Sequence, residues 1–353
     1  MPAVTLRHLF EVYGDALSCY EAFLRKEPAV ISALTPRICR ILETNSTEAF
    51  FSRMKTLMGK HSIHVLRISD SLYPASLIHI NDAPVILFYQ GNLDCLNHRI
   101  LAMVGSRAAS YAGQKASGKV AEDLSRHGVS VVSGLACGID TSAHQGCLRG
   151  GSPTIAVTGC GLDRIYPYDN LSLRDNILNN SGLILSEYIP GEKPAGWHFP
   201  VRNRIIAGLC TALILMEAKI RSGSMTSVQH ALDQGKDVFV YPGDPNSAYF
   251  EGNHQLLREG GLYFTSAEDI LNDLHWLDNP SAVRQNSDCS ADRKASSPED
   301  ASVLCALEKG ILSFEQLLNA TGLDPSVLMS TLTILQIRGL IESLPGKYYQ
   351  LKH

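Results

Sequence analysis

Two arginines flank an asparagine in the segment 199–208, which reads FPVRNRIIAG. The planar guanidinium group of arginine is the side chain best suited to fork onto two phosphate oxygens. The apolar residues that follow Arg202, Asn203 and Arg204 favour a helix and then a strand. This segment therefore indicates a binding site for phosphate groups.

Four glycine turns carry related chemistry elsewhere in the chain. Glycine lets the backbone approach a ligand closely, and the amino end of a following helix offers unpaired N–H donors. One such turn needs only a structural explanation, but four at one sheet edge, with arginines that include Arg221 nearby, favour anion binding. The predicted phosphate- or DNA-binding residues are Gly105, Ser106, Arg107, Ser133, Gly134, Gly159, Gly161, Arg164, Arg202, Asn203, Arg204, Ser222, Gly223 and Ser224.

Evidence for catalysis is weaker. Asp140 and His144 are four residues apart and could form an acid–base pair, but the favoured interpretation is that Asp140 caps a helix beginning near Thr141 and His144 packs in its first turn. Glu187 and Glu217 end strands and could bind a metal, although pairing with a pocket arginine is favoured. We predict no catalytic residue, no metal site and no cofactor.

The usual nucleotide fingerprints are absent from the sequence. Neither GxxxxGK[ST] nor a GxGxxG after the first strand occurs, and GxSxG and HExxH are also missing. The anion could therefore belong to a nucleotide or to a nucleic-acid backbone. Tyr166, Tyr168, Trp197, His198 and Phe199 flank the basic segments and could stack on unpaired bases or pack in the core and rim. For Tyr166 and Trp197 the pattern favours neither alternative.

Short apolar runs alternate with helical segments between residues 63 and 278. The predicted strands are 85–89, 100–104, 129–132, 154–157, 183–185, 212–216 and 238–241, and the clearest helices are 115–127 and 225–234. This alternation predicts an α/β fold, a Rossmann-like, doubly wound and mostly parallel sheet. Ligands of such sheets bind outside the carboxyl ends of the strands, where the glycine turns fall.

Flanking segments add two smaller domains. Residues 1–62 are predicted to form an N-terminal helical domain resembling SAM or helix-hairpin-helix bundles, although the characteristic glycine hairpin is missing. Residues 279–298 are predicted to be a linker, and 299–353 a C-terminal winged helix with a hairpin turning at Pro345-Gly346. The third helix of this tail carries no charge between Asp324 and Arg338, which favours packing or protein contact over duplex reading.

Composition restricts the class of protein. The 353 residues are 45% hydrophobic and 19% charged with a net charge of −4, so nucleic-acid binding requires a local basic patch. The nine cysteines are odd in number and form no CxxC, which argues against a disulfide framework or a zinc ribbon and fits a reducing cytosol. No basic leader precedes an apolar core, and no apolar run approaches the roughly 18 residues of a membrane span. These features predict a cytoplasmic protein without membrane insertion.

Motifs across residues 64–275 closely resemble, in order and spacing, the DNA-processing protein A family (DprA, also called Smf). The matching segments are 105–107, 133–140 with Ala143-His144, 158–167, Ser186-Glu187, 199–209, Glu217-Ala218 with 222–224, and Pro242-Gly243 with Gly252-Asn253. Cys137 and the run 225–227 depart from the usual pattern. The helical front end and the winged-helix tail also look like the accessory domains of the family.

The resemblance implies a cytoplasmic bacterial protein that binds single-stranded DNA and loads the RecA recombinase in natural transformation. It also implies protection of incoming strands, displacement of single-strand-binding protein and homodimers formed through the Rossmann-like domain. Members are not known as enzymes. Arg107 corresponds to the arginine of the family's phosphate pocket, and its glycine turns correspond to Ser133-Gly134 and Ser222-Gly223-Ser224.

Two alternative functions remain open at this point. One is a nucleotide-binding enzyme, such as a phosphoribohydrolase on a related Rossmann-like fold, using Glu187 and Glu217; its PGGxGT pattern is absent, since Pro242-Gly243-Asp244 does not match it. The other is a transcription factor acting through the tail, which the uncharged third helix argues against.

Overall fold

The computed structural model describes residues 5, 8–9, 12–14, 16–45, 47–277, 303–304, 307, 312–321, 323–337, 340–344 and 348–351. These residues fall into two compact units, one within residues 1–284 and one within residues 285–353. The linker predicted at 279–298 lies outside the described residues, as does the turn at Pro345-Gly346. The predicted boundary at residues 62 and 63 stays a prediction.

Helices precede the sheet in the first unit, as expected. They are α1 (Ala16–Leu24), α2 (Pro28–Ala33), α3 (Pro36–Asn45) and α4 (Glu48–Lys60). Thr35 caps α3, because its hydroxyl accepts a hydrogen bond from the N–H of Ile38 at 3.4 Å, and Pro36 is the first helical residue. Thr47 caps α4, because its side chain accepts a hydrogen bond from the N–H of Phe50.

A nine-stranded sheet forms the centre of this unit. The strands are β1 (His64–Arg67), β2 (Ile86–Gly91), β3 (Arg99–Val104), β4 (Val129–Ser133), β5 (Ile155–Thr158), β6 (Leu183–Ser186), β7 (Ala212–Leu215), β8 (Asp237–Val240) and β9 (Leu262–Tyr263). Their order is β1-β2-β6-β5-β4-β3-β7-β8-β9. All pairs from β6 to β9 are parallel, whereas β1 and β2 are antiparallel additions. The mostly parallel sheet predicted from the alternating pattern is confirmed, although the sequence did not indicate β1 or β9.

Helices cover both faces of the sheet, which makes it doubly wound. They are α5 (Ala75–Ile78), α6 (Tyr111–Arg126), α7 (Ile139–Gly150), α8 (Leu171–Asn179), α9 (His198–Leu209), α10 (Gly223–Asp233), α11 (Glu251–Arg258) and α12 (Ala267–Asp273). Alternate side chains of β3 enter opposite cores, as the two-residue period of a strand requires: Ile100 and Ala102 pack with α9 and α10, and Leu101 and Met103 pack with α6, α7 and α12.

Two helices begin earlier than the apolar pattern predicted, because a serine caps each of them. Ser110 accepts from the N–H of Gly113 at 3.0 Å, so α6 starts at Tyr111 rather than at residue 115. Ser222 accepts from the N–H of Ser224 at 3.3 Å, so α10 starts at Gly223 rather than at residue 225. Short polar side chains at such positions satisfy the first helical N–H groups.

The second unit has the helices and hairpin of a winged helix, as predicted. Residues 303–304 and 307 are helical, and the further elements are β10 (Leu312–Ser313), α13 (Phe314–Thr321), α14 (Pro325–Ile337), β11 (Ile341–Leu344) and β12 (Tyr348–Leu351). Its core includes Leu304, Leu317, Leu332 and Ile341. Across the parts of the chain that the structure describes, no helix has the length and apolar character needed to cross a bilayer.

Candidate phosphate-binding site at the carboxyl edge of the sheet

The strand connections reverse direction between β3 and β7. From β3 the chain proceeds through β4, β5 and β6 on one side, then returns to β7 on the other side and continues to β8. A crevice opens outside the carboxyl ends of strands at such a reversal. The N–H of Ser106, just after β3, donates to the carbonyl of Glu217, just after β7, at 2.7 Å. This bond holds the two loops together at the reversal.

A cavity of about 630 Å³ lies at this edge. Eight of the predicted binding residues line it: Gly105, Ser106, Arg107, Arg202, Asn203, Ser222, Gly223 and Ser224. Gly134 lines a smaller hollow of about 110 Å³ that shares Arg107 and Phe199 with the cavity. The sequence reasoning missed residues 194–196, which also line the cavity and belong to no recognisable motif.

Arg107 is the exposed cation of the cavity wall. Its guanidinium carbon lies over the ring of Phe199, 4.6 Å from the ring centroid. It forms no ion pair with any residue that the structure describes. An aromatic ring attracts the cation without neutralising it. Arg107 therefore keeps a full positive charge that is available to an anion in the cavity.

Arg202 lines the same cavity but is only 3% exposed. Its Nη1 donates to the carbonyl of Gly134 at 2.8 Å and also to the carbonyl of Val157. Burial lowers the pKa of this guanidinium to about 10, so it stays charged at neutral pH. Its Nε has no hydrogen-bond partner among the described residues. Arg202 thus joins the ends of β4 and β5 and adds positive potential behind the cavity.

Asp140 does not cap a helix, which corrects the favoured interpretation. It lies inside α7, after Gly138 at the cap position, and its Oδ2 accepts from the N–H groups of Gly134 and Ala136 at 3.1 and 3.3 Å. Burial raises the pKa of this carboxyl, and the nearby Arg202 opposes the rise. Asp140 therefore holds the loop that follows β4 in place.

His144 packs in the core near the start of α7 and bonds Thr154 instead of Asp140. The Thr154 hydroxyl donates to the carbonyl of Val131 at 2.7 Å, so it accepts from the Nδ1–H of His144 at 2.8 Å. Nε2 therefore carries no proton, and it has no partner within the described ranges. Burial lowers the pKa of His144 to about 3, with a further contribution from the charge of Arg202. The imidazole is neutral at physiological pH, and its packing role is confirmed.

The amino end of α10 faces the cavity. Ser222, Gly223 and Ser224 all line it, and a β-carbon at Gly223 would meet no atom within 4 Å. The hydroxyls of Ser222 and Ser224 lie 2.6 Å apart. Helical N–H groups together with serine hydroxyls are suited to bind a phosphate oxygen. Arg107 and this helix end thus supply complementary charges and donors.

Arg204 does not line the cavity. Its Nη2 binds both carboxylate oxygens of Glu187 at 2.7 and 2.8 Å, and its Nε lies 2.7 Å from Asp82 Oδ2. Residues two apart on a helix point about 200° apart, so Arg202 and Arg204 cannot face the same space. The predicted pairing of Glu187 with an arginine is confirmed, but that arginine is neutralised outside the cavity.

Four further predicted residues form or support the surroundings of the cavity and do not line it. The buried Ser133 hydroxyl donates to the carbonyl of Met103 at 2.6 Å. A β-carbon on Gly159 would lie 3.0 Å from the ring of Phe199, so this glycine admits the ring. The N–H of Gly161 donates to the backbone carbonyl of Glu192. Arg164 binds the carbonyl of Gly191 and the carboxylate of Asp163.

Glu217 does not bind an arginine, contrary to the sequence-based expectation. Its carboxylate is fully buried and accepts from the N–H of Ser110 at 2.9 Å and from the Ser110 hydroxyl at 2.5 Å. It thereby holds the amino end of α6 beside β7.

The aromatic residues divide between packing and the rim. His198 is buried, stacks on Tyr188 with centroids 3.9 Å apart, and contacts the carbonyl of Gly159 through Nδ1 at 2.9 Å. Tyr166 lines the cavity, with its ring 5.4 Å from that of Phe199. Tyr166 and Trp197 are 45% and 66% exposed, so both rings are accessible for stacking.

Residues 64–275 match the family described as DNA recombination-mediator protein A, and residues 290–347 match the DprA winged helix domain. The chain is 51% identical over 204 residues to the DNA processing protein DprA of Streptococcus pneumoniae, covering 58% of this chain and 72% of that protein.

Two solved structures resemble the fold. The X-ray structure of DNA processing protein A from Streptococcus pneumoniae has a TM-score of 0.65 and 39% identity, covering 77% of this chain and 92% of that one. A structure of DNA processing protein A from Helicobacter pylori, reported for its single-stranded DNA binding mode, has a TM-score of 0.55 and 29% identity, covering 60% and 95%. The sheet, the cavity at its carboxyl edge and these matches together show that the chain belongs to the DprA/Smf family of DNA-processing proteins.

Proposed function

We propose that this protein binds single-stranded DNA at the carboxyl-edge cavity and acts, without catalysing a reaction, as a recombination mediator in natural transformation. The observation that carries the proposal is the unneutralised Arg107, which lines the cavity together with the amino end of α10. A phosphate of the DNA backbone is the anion that this pair of features fits best. The Helicobacter pylori relative, whose structure was reported for its single-stranded DNA binding mode, supports the same conclusion.

The positions of the glycines and of the charges favour a nucleic-acid backbone over a small-molecule ligand. The net charge of the chain is −4, so attraction of a polyanion must come from local cations such as Arg107. The main chain at Gly105 and Gly223 borders the cavity, which lets a sugar–phosphate chain approach closely. The exposed rings of Tyr166 and Trp197 offer surfaces on which unpaired bases can stack.

The enzymatic alternative has less support. Glu187 binds Arg204, and Glu217 is buried against Ser110. A phosphoribohydrolase would need at least one of these carboxylates to face its substrate, and neither is among the residues that line the cavity. We therefore propose that the cavity holds its ligand and leaves it chemically unchanged.

A gel shift comparing single- and double-stranded oligonucleotides of one sequence tests the binding. We expect the wild-type chain to shift the single strand at lower protein concentration. Arg107→Ala should weaken this shift, whereas Arg126→Ala should leave it unchanged, since Arg126 pairs with Glu122 and Asp123 at the end of α6. Equal shifts of the two DNA forms, or an Arg107→Ala protein that binds as well as wild type, would refute the proposal.

RecA loading and dimer formation are further parts of the proposal. RecA should assemble faster on DNA covered with single-strand-binding protein when this chain is present, and Arg107→Ala should lose that stimulation. Sedimentation equilibrium should give twice the monomer mass of 38.5 kDa. A cytoplasmic location also belongs to the proposal, and fractionation of cells tests it.

A further inference from the structure

A second cation lies over an aromatic ring at the same edge of the sheet, outside the cavity. The ammonium group of Lys219 is 5.1 Å from the centroid of the Tyr249 ring. Lys219 is exposed, and Tyr249 is 41% exposed. The pair repeats the arrangement of Arg107 and Phe199, a cation held by a ring.

The fold places this pair next to the cavity and one strand further along. Lys219 lies in the loop after β7. The hydrogen bond between Ser106 and Glu217 joins this loop to the loop after β3, which carries Arg107. Tyr249 follows β8, which pairs with β7 on the side away from β3. The carboxyl ends of neighbouring parallel strands lie at the same edge of the sheet. Arg107, Lys219 and Tyr249, which follow β3, β7 and β8, therefore lie in this order along that edge.

The backbone that carries the pair is held firmly. The buried side chain of Asn253 accepts from the N–H of Ala218 at 2.8 Å and donates to the carbonyl of Tyr241 at 2.7 Å. The N–H of Gly252 donates to the carbonyl of Ala218 at 2.9 Å. These bonds join the ends of β7 and β8 to the start of α11, so Lys219 and Tyr249 keep a defined position relative to the cavity.

Lys219 has no acidic partner among the residues that the structure describes. Three exposed cations of this unit are paired elsewhere on its surface: Lys119 with Asp123, Arg126 with Glu122, and Arg149 with Glu122. Arg221 is a further exposed cation of the loop after β7. Unneutralised charge thus continues along the edge beyond the cavity, on the side of β8.

We infer that Lys219 and Tyr249 form a second contact for single-stranded DNA, in which Lys219 binds a backbone phosphate and Tyr249 stacks on an unpaired base. The inference rests on the proposed function and extends the path of the strand from the cavity past β7 to β8. The flexible lysine stem lets its ammonium follow a phosphate, while the exposed ring offers its face to a base of any sequence.

Oligonucleotide length distinguishes this contact from the cavity. Fluorescence anisotropy is measured with oligothymidylates of about 4 and about 12 nucleotides, two lengths within the range of single-strand site sizes. The short strand reports binding at the cavity alone, and the long strand reaches the second contact. Tyr249→Ala should lower the affinity for the long strand at least about fivefold, which is the lower limit for one base–ring stack. The affinity for the short strand should be unchanged. Tyr249→Phe should bind both as wild type does.

Charge at the second contact is tested through salt dependence. Lys219→Gln should reduce the slope of log affinity against log salt by about 0.7 for the long strand, the value for one phosphate on single-stranded DNA. Lys236→Gln is the matched control, because Lys236 precedes β8 at the opposite edge of the sheet.

Failure of the inference differs from failure of the proposed function. If Lys219→Gln and Tyr249→Ala bind the long strand as wild type does, while Arg107→Ala lowers the affinity for both oligonucleotides, the second contact is refuted and the cavity proposal stands. If the wild-type chain binds neither length, both are refuted.

Discussion

Arg107 and Phe199 are 92 positions apart in the chain, yet the guanidinium of one lies 4.6 Å from the ring centroid of the other. The loop that follows β3 supplies the cation, and the first turn of α9 supplies the ring. A carboxylate at this place would hold Arg107 equally well but would cancel its charge. The ring orients the cation and leaves the charge free for an incoming phosphate.

Replacing the ring should weaken DNA binding without removing the charge. We expect Phe199→Leu to lower affinity for single-stranded DNA about two- to fivefold, corresponding to about 0.5–1 kcal/mol for an exposed cation–ring contact. The salt slope should be unchanged, because Arg107 still meets the phosphate. Phe199→Tyr, which keeps the ring, serves as the control in anisotropy titrations. A drop in salt slope equal to that of Arg107→Ala would contradict a purely orienting role.

Gly134→Ala should destabilise the protein, because Gly134 separates a buried cation from a buried carboxylate. A β-carbon at this position would lie 2.6 Å from Arg202 Nη2 and 2.7 Å from Asp140 Oδ2. Relief requires movement of both groups, for which we expect a loss of about 1–3 kcal/mol in the free energy of unfolding, as for other overpacked sites. Urea denaturation measures it. Gly59→Ala in α4 is the control, since its β-carbon meets nothing within 4 Å; an equal loss there would contradict the explanation.

Arg204 should matter for stability and not for DNA affinity. Arg204→Met leaves the partly buried Glu187 without its arginine, and we expect a loss of about 1–3 kcal/mol in unfolding free energy. The double variant Arg204→Met/Glu187→Gln should recover part of the loss, because the uncompensated carboxylate is gone. Affinity per folded molecule should equal that of wild type. An affinity loss comparable to that of Arg107→Ala would instead assign Arg204 to the binding site.

Stability should fall with acid because His144 is buried in its neutral form. The folded pKa is lowered to about 3, so between the ordinary value of about 6.5 and that limit the unfolded chain binds more protons. The unfolding free energy then decreases as the pH falls, by up to about 1.4 kcal/mol per pH unit from this group. Above pH 7 both states are neutral here, and the contribution is constant.

Comparison with a variant isolates this titration from that of Asp140 and other groups. His144→Gln should show a shallower decline of unfolding free energy between about pH 6.5 and pH 5, by up to about 1.4 kcal/mol per pH unit. Urea denaturation at several pH values measures both proteins. Parallel declines in the two proteins would show that His144 is not the group responsible.

Short-range chemistry explains why so much of the fold could be predicted from the sequence. The continuous apolar run of β3 and the helical spacing in α6 are local patterns, and each reflects burial in the cores on the two faces of the sheet. Caps were harder to predict, because the residues by which Ser110 and Ser222 extend their helices, 111–114 and 223–224, carry no apolar period. The edge additions β1 and β9 were missed, since only one residue of β1 and none of β9 is buried, so neither carries the apolar run of the inner strands.

The sequence alone determined the kind of chemistry: glycine turns after strands, arginines beside them, and hence an anion site at the carboxyl edge. It could not determine which arginine keeps its charge. Arg107, Arg202 and Arg204 look equivalent in the chain, but their partners are a ring, two carbonyls and two carboxylates. Those partners come from remote segments, and the 200° between alternate helical residues sends Arg202 and Arg204 into different surroundings. Only the tertiary structure brings the neutralising groups to some cations and leaves Arg107 without one.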